Sequence, residues 1–220
     1  MKAKTITALV FQKTAHDRVN VFLDGAYAFA LTAILAAPLQ IGQTLHEQEI
    51  DALRAADAQE HAWDLTLKFL SYRPRSEAEV RRYLAGKGLD ATATDQLIER
   101  LYRLGYLNDE SFARAWVSSR RTLRPKGARA LQYELRSKGV SPEIIADALA
   151  GLAADEDAYA AVSKPAARWR TLDDRAFRQK VQAFLARRGF DYDIIQKTVN
   201  RLLHEVDGAG TVEPLEEENE

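Results

Sequence analysis

The chain is 220 residues long, 46% hydrophobic and 29% charged, with no cysteine, one methionine and a formal net charge of −1. That much apolar material can build a core in one or two domains and excludes wholesale disorder, while the missing cysteines exclude a disulfide framework, thiol catalysis and cysteine-ligated metal sites. No apolar run approaches the roughly 20 residues of a membrane span, and the start, Met1-Lys2-Ala3-Lys4-Thr5, lacks the apolar core of a signal peptide, so a cytoplasmic protein with no membrane contact is expected.

Ile6-Thr7-Ala8-Leu9-Val10-Phe11 reads as a strand. Val19, Val21 and Leu23, then Tyr27, Phe29 and Leu31, alternate with period two on either side of Asp24-Gly25, a pair suited to the positive φ angles of a type I′ hairpin turn. Three short strands therefore form a small β-rich segment over residues 1–45. Pro38 and Gly42 break the apolar stretch around Ile34, Leu35 and Leu39, and Thr44-Leu45-His46-Glu47 has the spacing of a capping box that opens a helix.

From there the chain reads as helical and repeats itself. Leu84-Ala85-Gly86-Lys87-Gly88-Leu89, Leu135-Arg136-Ser137-Lys138-Gly139-Val140 and Leu185-Ala186-Arg187-Arg188-Gly189-Phe190 share the pattern Leu-x-x-basic-Gly-apolar. Each glycine stands where a helix ends in a left-handed residue, with a basic side chain in the last turn to complement the helix dipole. An N-cap residue type follows two positions later in every copy, at Asp90, Ser141 and Asp191. Upstream helices are marked by Trp63 and Phe69, by Phe112 and Trp116, and by Tyr159 and Trp169. The spacing predicts a mainly α protein: three tandem three-helix modules, at 46–108, 109–153 and 154–205, forming an elongated helical repeat behind the β-hairpin segment. Residues 206–220 read as a disordered acidic tail.

Local signals sharpen the modules. Ser76-Glu77-Ala78-Glu79 is a capping box, Asn108-Asp109-Glu110 puts a cap and two acids at a helix start, and Ser141-Pro142-Glu143 adds proline at the first helical position. Arg73-Pro74-Arg75 and Arg124-Pro125-Lys126 are connectors before the second helix of the first two modules; the third has Thr171-Leu172-Asp173-Asp174-Arg175 instead. The aromatics Trp63, Phe69, Tyr83, Phe112, Trp116, Tyr133, Phe177 and Phe184 fall at helical spacing with leucines and are expected in the core, whereas Tyr72, Tyr102 and Tyr106 are not assigned.

Charge is uneven. Residues 1–60 hold 5 Lys and Arg against 7 Asp and Glu, residues 61–204 hold 26 against 18, and residues 205–220 hold none against 7. A basic body thus carries an acidic tail, which is expected to screen that body from nonspecific nucleic acid.

Catalysis finds little support. The four histidines are scattered without metal-ligand spacing, Gly86-Lys87-Gly88 sits at a helix end rather than between a strand and a helix as a phosphate loop would, and no Gly-x-Ser-x-Gly elbow exists. No catalytic, metal or cofactor residue is expected. The positive signal is basic: Arg114, Arg120, Arg121, Arg124, Lys126, Arg129, Arg136 and Lys138 lie within 25 residues against the single acid Glu134. Such a run reads either as a solvated helix face or as a surface that meets phosphates or an acidic protein groove. Arg129 and Arg136 are seven apart and share one helix face, with Leu131 and Leu135 buried beneath. Arg73, Arg75, Arg81 and Arg82 form a second, looser patch, which Arg178, Lys180, Arg187 and Arg188 could extend.

Leu70-Ser71-Tyr72-Arg73-Pro74-Arg75-Ser76-Glu77-Ala78-Glu79-Val80-Arg81-Arg82-Tyr83-Leu84, followed by Leu101-Tyr102-Arg103-Leu104-Gly105-Tyr106-Leu107-Asn108-Asp109-Glu110-Ser111-Phe112-Ala113 and by Glu134-Leu135-Arg136-Ser137-Lys138-Gly139-Val140, resemble the RecX family, regulators of the bacterial recombinase RecA. The resemblance covers about residues 60–204. It implies a non-enzymatic monomer that binds the RecA filament on DNA, lies in its helical groove and suppresses its ATPase, strand-exchange and co-protease activities. It also implies nonspecific contact with single- and double-stranded DNA and no cofactor. The binding residues expected are Arg73, Arg75, Arg81, Arg82, Arg120, Arg121, Arg124, Lys126, Arg129, Arg136 and Lys138. A direct DNA-binding helical protein, acting as a transcription regulator, is the alternative reading of the same charges.

Overall fold

A computed structural model describes residues 3–13 and 17–209. Strands β1 (Lys4–Phe11), β2 (Arg18–Leu23), β3 (Ala26–Thr32) and β4 (Thr44–Leu45) form an antiparallel sheet in the order β3-β2-β1-β4. The expected hairpin joins β2 to β3, with φ of 50° at Asp24 and 84° at Gly25. Period-two alternation puts Ile6, Val19, Val21, Leu23, Phe29 and Leu31 on one buried face.

Two expectations need correction. The sheet has four strands and not three, because Thr44 and Leu45 pair with Thr5 and Lys4 as β4. The capping box consequently starts two residues later: His46 is the N-cap, and the Glu49 carboxylate accepts its N–H at 2.7 Å.

After the single-turn α1 (Ala33–Ala36) comes α2 (Glu47–Ser71), a 25-residue helix about 37 Å long. Its first half packs Ile50 into the sheet core, and its second half packs Ala62 and Trp63 into the core of the first module. Asp57, between the two, accepts hydrogen bonds from Arg18 at 3.0 Å and from the Thr32 N–H at 2.8 Å, pinning the helix to the sheet.

The helices that follow are α3 (Glu77–Ala85), α4 (Ala91–Arg103), α5 (Asp109–Leu123), α6 (Ala128–Ser137), α7 (Pro142–Leu149), α8 (Ala154–Ala167), α9 (Asp174–Arg187) and α10 (Tyr192–Ala209). They make three tandem three-helix modules: α2–α4, α5–α7 and α8–α10, each with its own buried cluster. The three corner glycines have φ of 83°, 78° and 79°, and in each the next residue's N–H returns to the leucine carbonyl at 3.2 Å: Leu89 to Leu84, Val140 to Leu135 and Phe190 to Leu185. This is the Schellman closure, and it satisfies carbonyls a helix end would otherwise leave orphaned. Helix α10 runs to Ala209, past the expected end of module three at 205; the rest of the expected tail, 210–220, lies outside the described residues.

The chain divides into two compact units, residues up to Pro74 with Val80–Leu107, and Arg75–Glu79 with the chain from Asn108 onward. Inside the second unit one docking arrangement occurs twice. The Ser76 hydroxyl donates to the Lys138 carbonyl at 2.6 Å, and Ala78 lies against Gly139 so closely that a Cβ there would overlap it. One repeat later the Gly127 N–H donates to the Arg188 carbonyl at 2.9 Å, and Ala130 crowds Gly189 in the same way. A glycine corner thus seats on the start of a second helix, and only a missing side chain allows the approach. In the third module Asp173, accepting the Ala176 N–H at 2.9 Å, starts α9 early, giving 14 residues against 10 in α6 and 9 in α3. That extra turn takes the place of the basic-Pro-basic connector.

Candidate functional site

The basic run of the second module folds onto α5, the 124–127 connector and α6, and its members separate into two groups. The first is engaged with carboxylates. Glu134, on α6, accepts from Trp116 Nε1 at 2.7 Å, from Arg120 Nε at 2.9 Å and from the Lys126 ammonium in a close ion pair. Burial pushes the Glu134 carboxyl up, but the hydrogen bonds from Lys126, Arg120 and Trp116 outweigh it and hold the group below the usual carboxylate range. Arg121 Nε lies 2.8 and 3.0 Å from the two oxygens of Asp157, whose side chain is only 10% exposed. Lys138 reaches Glu79 at 3.0 Å and lies 4.3 Å from the centroid of the Trp116 ring, on which Arg120 also stacks at 4.2 Å. These four cations hold helices together.

The second group faces solvent. Arg124, at the C-cap of α5, and Arg136, in the last turn of α6, are exposed. Arg129 is exposed as well and meets Asp191 at 2.6 Å across the module junction. Arg124 lies near Arg188: burial first, and then the charge of Arg124, lower the Arg188 guanidinium from the ordinary value. Arg188 donates to the Pro125 carbonyl at 3.2 Å and stacks on Phe184.

The looser patch is divided between the two units. In the first unit Arg81 pairs with Asp95 at 2.6 Å, Arg73 bonds the Pro74 carbonyl at 2.9 Å, and Arg82 is exposed on α3. Arg75 is half-buried and belongs to the second unit.

The aromatics behave largely as expected. Trp63, Phe112 and Phe177 are buried, and Phe69, Tyr83, Trp116 and Phe184 pack at the edges of the cores. Tyr133 departs from expectation: it is 75% exposed, on the face of α6 opposite Leu131 and Leu135. Tyr72 and Tyr102 are exposed, and Tyr106 sets its ring edge-on to Trp63 at 6.0 Å.

Sequence reasoning missed the carboxylates. Asp109 is not confined to the start of its own helix: its Oδ1 accepts the Glu77 N–H at 2.8 Å. Burial pushes the Asp109 carboxyl up, the Glu77 amide pulls it down, and the charges of Glu77 and Glu79 raise it again. Glu79, legible only as the closing acid of its capping box, and Asp157 gave no signal of their ion pairs, since each meets its cation from a distant part of the chain. Among the described residues no group of three or more His, Cys, Asp or Glu could hold a metal ion, and no helix is long and apolar enough to cross a membrane.

With this geometry in view, the chain can be set beside known proteins. Family models described as the first, second and third three-helix domains of RecX match residues 62–101, 108–149 and 154–199, and the model of the regulatory protein RecX N-terminal domain matches residues 4–46. The regulatory protein RecX of Bacillus velezensis is 33% identical over 215 residues, covering 96% of this chain and 82% of the relative. That of Bacillus subtilis is 32% identical over 207 residues, covering 92% and 78%. A crystal structure of regulatory protein RecX superposes with a TM-score of 0.72 at 27% identity, over 90% of this chain and 99% of the other. RecX from Lactobacillus salivarius superposes with a TM-score of 0.61 at 26% identity, over 69% and 98%.

Proposed function

The chain belongs to the RecX family, and from that premise we propose that it is a non-enzymatic regulator of the bacterial recombinase RecA, which it inhibits by binding the RecA filament on single-stranded DNA in its groove. The observation that carries the reading is the division of the basic run. Arg120, Arg121, Lys126 and Lys138 are tied to Glu134, Asp157 and Glu79, while Arg124, Arg129 and Arg136 keep their guanidinium groups at the surface, where phosphates or an acidic groove can meet them. Tandem modules suit a repeating partner. Several weak contacts made at once multiply through effective concentration, so no single module has to bind tightly. Bridging of neighbouring filament subunits would then bias the filament against extension and ATP turnover.

The test is the single-stranded-DNA-dependent ATPase of the cognate RecA, titrated with this protein well below the recombinase concentration, with excess DNA as control. Inhibition at substoichiometric amounts that survives added DNA is expected. Inhibition that disappears on adding DNA would mean competition for DNA, and the filament reading would fall.

The surface arginines give a sharper prediction. Charge reversal of Arg124, Arg129 and Arg136 together should raise the concentration for half-inhibition by about tenfold or more at moderate salt and flatten the salt dependence of DNA binding. Arg121 is left out of the variant because its tie to the nearly buried Asp157 would confound binding with folding, whereas the Arg129–Asp191 pair is exposed on both sides and adds little to stability. A folded triple variant that inhibits as well as the parent would remove this surface from the mechanism.

A further inference from the structure

We propose that the first module carries an open docking slot for the start of an α-helix in a partner protein. The slot is a groove of about 590 Å³ between α2 and the corner Lys87–Asp90, walled by Ala55, Ala58, Ala62 and Leu65 of α2 and by Leu89 and Ala93.

The repeat identifies what such a groove takes. Gly88 lies 51 residues before Gly139, and the same step carries Asp109 back to Ala58. In the second module the equivalent place beside the corner is filled by Ser76–Glu79: the Ser76 hydroxyl binds the Lys138 carbonyl, Ala78 covers Gly139, Glu79 pairs with Lys138, and Asp109 accepts the Glu77 amide. In the third module Gly127 and Ala130 fill it against Arg188 and Gly189. In the first module the corner has the same Schellman closure and the same basic residue before glycine, yet a Cβ built on Gly88 meets no atom within 4 Å.

The occupant's chemistry follows from the two filled copies. It is a helix start with Ser or Gly at the N-cap to reach the Lys87 carbonyl, an alanine-sized residue in the first turn to lie on Gly88, and, as Glu79 provides in the second module, a carboxylate to meet the exposed Lys87 ammonium. Ala58 replaces the Asp109 carboxylate, so the wall beside the occupant is more apolar than its internal counterpart. A partner is favoured over a second copy because α9, the third module's counterpart of α3 and α6, opens on Asp173, whose carboxylate accepts the Ala176 N–H and would face the Lys87 carbonyl with no proton to donate.

A synthetic helical peptide of sequence Arg75–Ala85, the segment that begins the internal docking, serves as the probe. Titrated into the ¹⁵N-labelled full chain, it should shift the amide resonances of Gly88, Leu89 and Ala93 saturably. Lys87→Glu should raise the half-saturating concentration about three- to fivefold, and Ala58→Arg, an exposed change to a good helix former, should abolish the shifts without altering the melting temperature. Absence of shifts at millimolar peptide, or shifts centred on Gly139 through displacement of the native segment, would overturn the slot. A concentration-dependent dimer in analytical ultracentrifugation that Ala58→Arg dissolves would assign it to a second copy and overturn the partner. No recombinase enters these readouts, so they stand apart from the ATPase test.

Discussion

Gly139→Ala is expected to destabilise the fold by about 3 kcal/mol or more, while the same change at Gly88 costs about 1–2 kcal/mol. Both glycines are left-handed, at φ of 78° and 83°, and forcing an L-residue into that region costs roughly 1–2 kcal/mol. The sites differ in what surrounds them. At Gly88 the new methyl group enters open space, whereas at Gly139 it runs into the Ala78 side chain and must push apart two helix ends joined by the Ser76–Lys138 hydrogen bond. Overpacking of that kind adds about 1–3 kcal/mol. Urea midpoints of the two variants provide the comparison. The double change Gly139→Ala with Ala78→Gly should recover part of the loss, beyond what independent effects would give. Equal losses at both glycines, with no coupling to position 78, would show that the corner does not seat on α3.

Glu134→Gln is the second large effect, a loss of about 2 kcal/mol at neutral pH. The substitution keeps the shape of the side chain and removes the charge that Arg120 and Lys126 share, leaving two half-buried cations facing a neutral amide. A fully buried pair broken in this way costs about 3–5 kcal/mol, and the 18% exposure of the Glu134 side chain argues for the lower figure. The same carboxylate sets a pH dependence. Because its folded-state pKa lies below the unfolded value, its contribution is present above the unfolded pKa and is lost as the pH falls through the folded one. The parent should therefore lose stability relative to the variant as urea melts are taken from pH 6 down to pH 3, and the two curves should converge in acid. Parallel curves would mean that the Glu134 cluster contributes nothing to folding.

What the sequence made legible was local or periodic. Asp24-Gly25 announces its hairpin by turn chemistry, and Leu-x-x-basic-Gly-apolar announces three helix ends, because both depend on neighbours within a few positions. The strand at Thr44-Leu45 was hidden, since two residues have no period and the pairing that defines them lies at Lys4 and Thr5. The basic run was read correctly as a concentration of charge, but how that charge is divided was invisible. Arg121 finds Asp157 36 residues away and Lys138 finds Glu79 59 residues away, and those meetings join segments far apart in the chain, which no local pattern encodes. Tyr133 shows the same limit. Its helical spacing admits either face of α6, and Leu131 and Leu135 had already taken the inner one.

Helix α2 belongs to two cores at once, with Ile50 in one, Trp63 in the other and Asp57 fastened to Arg18 and Thr32 between them. An α-helix turns about 100° per residue, so the stretch from Asp57 to Ala62 acts as a phase gauge between the sheet and the first module. A single residue inserted there would swing one core's apolar stripe by more than a quarter-turn away from the other. Length changes in this helix are accordingly tolerable only in near-whole numbers of turns, of seven or eleven residues, and a comparison of natural variants should find the Asp57–Ala62 interval fixed in length even where the loops around it vary.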